Sequence, residues 1–119
     1  MKTSEELQKD FPALFHSAGI TCGPGWNTIL EELCIKLTEL NATLLKEKQV
    51  RFAQIKEKFG QLRIYLHNWQ PEANAMVNEA EKASLNTCEM CGEPGTLHGD
   101  CWVKTVCDKC WENRNEPKS

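Results

Sequence analysis

CEMCGEPGTLHGDCWVKTVCDKC, residues 88–110, sets four cysteines in two pairs, Cys88 with Cys91 and Cys107 with Cys110. A two-residue gap inside each pair lets one tight turn aim both sulfurs at a single ion, and the spacing falls in the range of a tetrahedral four-thiolate zinc site. Gly92, directly after Cys91, supplies the permissive backbone such a knuckle wants. Thr96 to Val106 has the length of a short hairpin with Gly99-Asp100 at its tip, and the second pair opens a short helix at Asp108. Knuckle, hairpin and helix in that order predict a treble-clef-like zinc finger. Four sulfurs close the coordination shell, so Zn2+ is expected to be structural, without the open position a catalytic metal keeps. Cys101 and His98 lie within the same loop and stand as alternative ligands.

The remainder of the chain bounds what this finger is attached to. At 119 residues there is room for one modest domain and not for two well-buried ones. The expected organisation is a helical and β-hairpin body over 1–87, a zinc-finger module over 88–112 packed on it, and a flexible polar tail over 113–119. The class is α+β. No apolar run approaches the roughly 20 residues a membrane span needs, and the N-terminus MKTSEELQKD is acidic where a secretory signal would be apolar. A soluble, cytoplasmic protein is expected, whose seven cysteines are reduced thiols or metal ligands.

Leu7, Phe11, Leu14 and Phe15 recur at helical spacing behind a capping box of Thr3 and Glu6, with Pro12 forcing a break or kink. Gly19 and the run 21–25 read as a loop ending at Trp26. Ile29, Leu30, Leu33, Leu37 and Leu40 then define the strongest helix, whose apolar face, with Cys34 beside it, is expected to be core. From 50 to 67 the period changes to alternation, Leu62, Ile64 and Leu66 against Arg63 and Tyr65, which predicts a β-hairpin turning at Phe59-Gly60-Gln61. A helix through Lys46 to Phe59 is the competing reading, because most of those residues tolerate a helix. Pro71 suits the first turn of a helix running to about Leu85, with Ala73, Ala75, Ala80, Ala83 and Met76 forming a face for close packing.

Charge is uneven. Net charge is −3, yet Leu44 to Arg63 carries six bases against two acids. After Thr87 there are six acids and four bases, to which a tetrathiolate zinc adds about two negative charges, so the finger is a poor phosphate binder. In the basic stretch Lys56, Lys58, Arg63 and Tyr65, with Trp26 joining them, form the candidate ligand- or partner-binding set; the alternative they raise is nucleotide or nucleic-acid binding. Cys22, before a helix start, is either a reactive thiol or anion site or an inward-packed loop residue, and packing is favoured. His16, His67 and His98 are scattered, with no nearby Ser-His-Asp grouping and no H-E-x-x-H, so no enzyme is expected.

CGPGW at 22–26, QIKEKFGQLRIY at 54–65, CEMCG at 88–92 and WVKTVCDKC at 102–110 resemble a family of small zinc-finger-like proteins spread through phage and bacterial genomes. In that family the middle motif usually reads like VKEKFGGLRFY, and the last pair is often C-x-x-H where this chain has C-x-x-C, a swap that keeps tetrahedral zinc in reach. The resemblance implies a setting and no activity. It points to a non-enzymatic phage-type accessory protein, of a counter-defence kind, working in the cytoplasm of a bacterial host by binding a host or phage protein. It also marks the KEKFG-x-LR-x-Y hairpin as a working surface.

Overall fold

The structure, a computed structural model, describes residues 1–16 and 18–113. Helix α1 spans Ser4–Asp10, and its first turn is closed from both sides. The Glu6 amide donates to Thr3 Oγ1 at 3.1 Å, and the Thr3 amide to Glu6 Oε1 at 2.8 Å. The helix ends before Pro12, and Leu7, Leu14 and Phe15 are buried behind it. A single tight turn, Pro24–Trp26, then leads directly into α2, Asn27–Asn41, whose Leu30, Leu33, Cys34 and Leu37 face the core.

Alternation prevails over helix propensity in the middle of the chain. Strands β2, Arg51–Lys58, and β3, Gln61–His67, form an antiparallel hairpin with a bulge between Phe52 and Gln54. Of the competing helix only one turn at Lys46–Lys48 forms, since a continued helix would expose Phe52 and Ile55, which the strand buries completely. The hairpin turn is the two residues Phe59 and Gly60, with φ of 54° and 80°, so Gln61 belongs to β3 and not to the turn. Such a left-handed pair matches the twist of the flanking strands.

Between Gly19 and the glycine loop lies the short strand β1, Ile20–Thr21, which takes Thr21 out of the expected loop, runs parallel to β2 and completes a sheet in the order β1-β2-β3. Asn41 at the end of α2 fixes the entry to β2, its side chain both donating to and accepting from the Val50 backbone at 2.9 and 2.8 Å.

Helix α3, Pro71–Ser84, covers the sheet and seals the free edge of β3: Leu62 N–H donates to Ser84 Oγ and Ile64 N–H to Glu81 Oε2. An open edge would otherwise template pairing with another chain. The buried stripe is Ala73, Val77, Ala80 and Ser84; Ala75 and Ala83, expected on the packing face, are exposed. The chain then forms β4, Thr96–His98, paired with β5, Lys104–Val106, and closes on α4, Asp108–Asn113. The α+β class therefore holds. Residues 114–119 of the expected tail lie outside the described residues.

Candidate metal centre and the surfaces around it

The knuckle at 88–92 is wound by two backbone bonds, Cys88 N–H to Glu93 O at 2.7 Å and Gly92 N–H to Cys88 O at 3.0 Å. The second pair sits at the start of α4, where the Cys110 amide points at Cys107 Sγ, 3.4 Å away. The result is that the sulfurs of Cys88, Cys91, Cys107 and Cys110 all lie within 4.8 Å of one another, with Cys91 and Cys107 at 3.7 Å. Four sulfurs about 2.3 Å from a tetrahedral centre stand about 3.8 Å apart, so the cluster has the dimensions of a metal tetrathiolate.

The electrostatics fit the same group. Burial pushes the Cys88 thiol up, but the backbones of Cys107, Cys91 and Met90 turned toward its sulfur outweigh burial and bring it down to about 7. Its neighbours respond in the opposite sense. Contact with Cys107, then burial and the sulfurs of Cys88 and Cys91, pushes Cys110 up to about 12. The Glu93 backbone draws Cys91 down, yet burial and the sulfurs of Cys88 and Cys107 leave it raised. Without a cation the sulfurs compete for one negative charge, whereas a bound divalent ion lets all four ionise.

The alternative ligands stand outside this group. His98 packs at a tilt on Trp111 with ring centroids 5.1 Å apart and sets Nε2 3.2 Å from Asp108, and Cys101 is exposed in the loop between β4 and β5.

The three glycine-containing motifs meet where the finger joins the body. Gly25 N–H donates to the Glu89 carbonyl at 2.6 Å, Gly23 N–H donates to the Glu89 carboxylate at 2.8 Å, and the Trp26 indole donates to Thr87 O at 2.8 Å. The glycine loop therefore docks on Glu89, one amide meeting its carboxylate and one its carbonyl. On the hairpin side, Thr105 Oγ1 donates to Gly60 O at 2.6 Å. Lys104 lies 3.3 Å from both Glu57 and the nearly inaccessible Glu89. Burial alone would lower the Lys104 ammonium, but Glu89 and Glu57 outweigh it and hold the group above its usual range. Sequence reasoning missed Glu89, Lys104 and Thr105; for Glu89 the signal available was the density of glycine in the loop it docks against.

Trp26 does not join the basic set. It is fully buried, and a side chain with no exposed surface cannot meet a partner, so its role is core packing and the bond to Thr87. Lys56, Lys58, Arg63 and Tyr65 do share one side of the hairpin, because Lys56 pairs with Arg63, Gln54 with Tyr65 and Lys58 with Gln61. Cys22 is half-buried, and burial followed by the charges of Glu89 and Glu57 pushes its thiol up to about 12; burial does the same to Cys34. Neither is a ready thiolate at neutral pH.

Comparison with protein-family models, curated proteins and solved structures gives no match. The cysteine group at 88, 91, 107 and 110 is suited to holding a metal ion, and no helix among the described residues is long and apolar enough to cross a membrane.

Proposed function

We propose that this protein is a non-enzymatic, zinc-stapled binding module that docks on another protein. In this reading Cys88, Cys91, Cys107 and Cys110 hold one structural Zn2+, and the finger is a positioning device. Support comes from the four-sulfur group and from where Cys88 sits: it is wholly buried, and Thr87 and Glu89 on either side of it bond to the glycine loop and Trp26.

The observation that carries the docking reading is a pair of bare aromatics at the junction. Phe59 is 67% and Trp102 79% exposed, and with Glu57, Cys101 and Val103 they line a cleft of ≈ 190 Å³. Large exposed aromatics gathered at one place are the usual anchors of protein interfaces. Residues 88–113 carry Glu89, Glu93, Asp100, Asp108 and Glu112 against Lys104 and Lys109, and the tetrathiolate adds to that excess. An acidic surface repels a phosphate backbone and fits a protein whose apolar pocket has a basic rim. Given the resemblance of the motifs to phage proteins, that partner is a host or phage protein and the role that of a phage-type accessory or counter-defence factor.

The test is capture from host lysate on immobilised zinc-loaded protein, followed by direct titration of the purified captured protein. Phe59→Ala with Trp102→Ala alters only exposed side chains and should weaken binding more than tenfold while leaving metal content unchanged. A captured protein that binds the double variant as well as the wild type ends this reading, as does a wild type that captures nothing above background.

A further inference from the structure

A different face of the molecule has a different chemistry. Residues paired across an antiparallel ladder project to the same side, and same-side residues along one strand stand about 6.6–6.8 Å apart. The inner side of β2–β3 carries Phe52, Ile55, Leu62 and Ile64, all buried. The outer side carries Arg51 opposite His67, Gln54 opposite Tyr65, Lys56 opposite Arg63, and Lys58 opposite Gln61. Four of those eight positions are permanent cations and none is a carboxylate.

The one acid between 51 and 67, Glu57, pairs with Leu62 on the inner side. It is held there by Lys104 at 3.3 Å and by the Gly60 amide at 2.8 Å. No ion pair engages Arg51, Lys56, Lys58 or Arg63 among the described residues. Arg63 Nε is covered yet has no hydrogen-bond partner. In a chain of net charge −3, four cations on one sheet face with no carboxylate paired to them among the described residues concentrate positive potential there.

Amid them stands Tyr65, 46% exposed, with the Lys56 ammonium 5.8 Å from its ring centroid. A half-bare ring between cations is a stacking platform for an unpaired base, with phosphates meeting the cations on either side. A duplex hides its base faces and is read by elements that enter a groove. This hairpin is pinned by α3 along one edge and by β1 along the other, so it offers a face and not a protruding ribbon.

We infer that the outer face of β2–β3, through Arg51, Lys56, Lys58, Arg63 and Tyr65, binds single-stranded nucleic acid. This surface borders the Phe59–Trp102 cleft at Lys58, whose ammonium lies 5.6 Å from the Phe59 ring centroid, but the inference does not depend on the docking reading.

The probe is a short fluorescently labelled mixed-sequence oligonucleotide, as DNA and as RNA, titrated by anisotropy with the zinc-loaded full chain. If each of the four cations meets one phosphate, log K falls with log salt at a slope of about −2.8, and Lys56→Gln or Arg63→Gln reduces that slope by about 0.7. Tyr65→Ala should weaken binding about 5- to 150-fold with the slope preserved, and Tyr65→Phe should restore it. These side chains lie outside the core, and unchanged circular dichroism and metal content establish that each variant is folded.

The inference is overturned by no binding of the wild type at low salt, by equal affinity in Lys56→Gln with Arg63→Gln, or by a duplex of the same sequence bound at least as tightly as the single strand. Salt-dependent binding indifferent to Tyr65→Ala also overturns it, reducing the face to a general cation surface. So does loss of a captured protein partner in Lys56→Gln with Arg63→Gln when no oligonucleotide binds. Failure of these titrations leaves the Phe59→Ala with Trp102→Ala experiment to stand or fall separately.

Discussion

Adding one methyl group at Gly25 tests the joint between body and finger. An ideal Cβ there stands 2.1 Å from the Cys88 carbonyl oxygen and 2.6 Å from the carbonyl carbon and oxygen of Glu89. These are backbone atoms of the metal knuckle, so no side-chain rotation relieves the overlap. Ordinary carbon contacts need about 3.5 Å, and the two segments must separate by about 1 Å or more. At that separation the bond from Gly25 N–H to Glu89 O, now 2.6 Å, and those from Gly23 N–H to the Glu89 carboxylate and from the Trp26 indole to Thr87 O, both 2.8 Å, stretch past useful range.

Two neutral bonds at about 1 kcal/mol each and one charged bond at about 1.5–3 kcal/mol place the loss for Gly25→Ala near 3.5–5 kcal/mol. For a chain of this size that lowers Tm by roughly 14–20 °C. Gly19→Ala is the control, because a Cβ at Gly19 meets nothing within 4 Å. Urea and thermal unfolding of the two zinc-loaded variants decide the matter: Gly25→Ala as stable as Gly19→Ala would refute the close-approach account.

Thr105→Val removes the hydroxyl that donates to Gly60 O at 2.6 Å in a buried setting and should cost about 1–3 kcal/mol in urea unfolding; an unchanged midpoint would mean the hairpin tip is not held there. Lys104→Met strands Glu57 and the buried Glu89 without their shared cation, and a loss of about 2–3 kcal/mol is expected, relieved in part by a further Glu57→Gln. In the folded, metal-loaded protein at pH 8, alkylation followed by mass spectrometry should label Cys101 rapidly and spare Cys22 and Cys34. A thiol at about 12 is about one part in 10⁴ thiolate at pH 8, so their labelling should rise about tenfold per pH unit; fast modification of Cys22 would contradict its buried setting. Elemental analysis should find one zinc per chain, and Cys110→Ser or a strong chelator should remove it and lower the unfolding midpoint. A metal-free preparation with the same midpoint would disprove the staple.

What the sequence disclosed depended on whether the signal was local. Cysteine spacing needs only two tight turns and a hairpin, each set by residues within a few positions of one another, and so Cys88, Cys91, Cys107 and Cys110 could be paired in advance. The Thr3–Glu6 box and the Leu30–Leu37 face are likewise local. The competition between helix and hairpin over 46–59 was settled by burial of Phe52 and Ile55, a tertiary matter on which propensity is silent. Trp26 misled because an aromatic after a glycine loop reads the same whether it faces solvent or core; its place follows from Thr87, sixty-one positions away. Glu89 hides for the same reason. A carboxylate between two cysteines reads as surface, and the Gly23 amide and the Lys104 ammonium, both distant in sequence, make its burial tolerable.

Joint and surfaces are linked through the hairpin tip. Glu57 is set on the inner side of the hairpin by strand register, and it is held there by Lys104, a residue of the finger. Phe59 stands beside Trp102 because Gly60 is tied to Thr105, again a residue of the finger. Strand β5, which carries both Lys104 and Thr105, runs directly into the second cysteine pair. A metal that fixes Cys107 and Cys110 against Cys88 therefore also fixes the register of β5 against the hairpin. A metal bound there would act at a distance by bracing the strand that holds Glu57 and Gly60, which is work a closed four-sulfur shell can do without chemistry of its own.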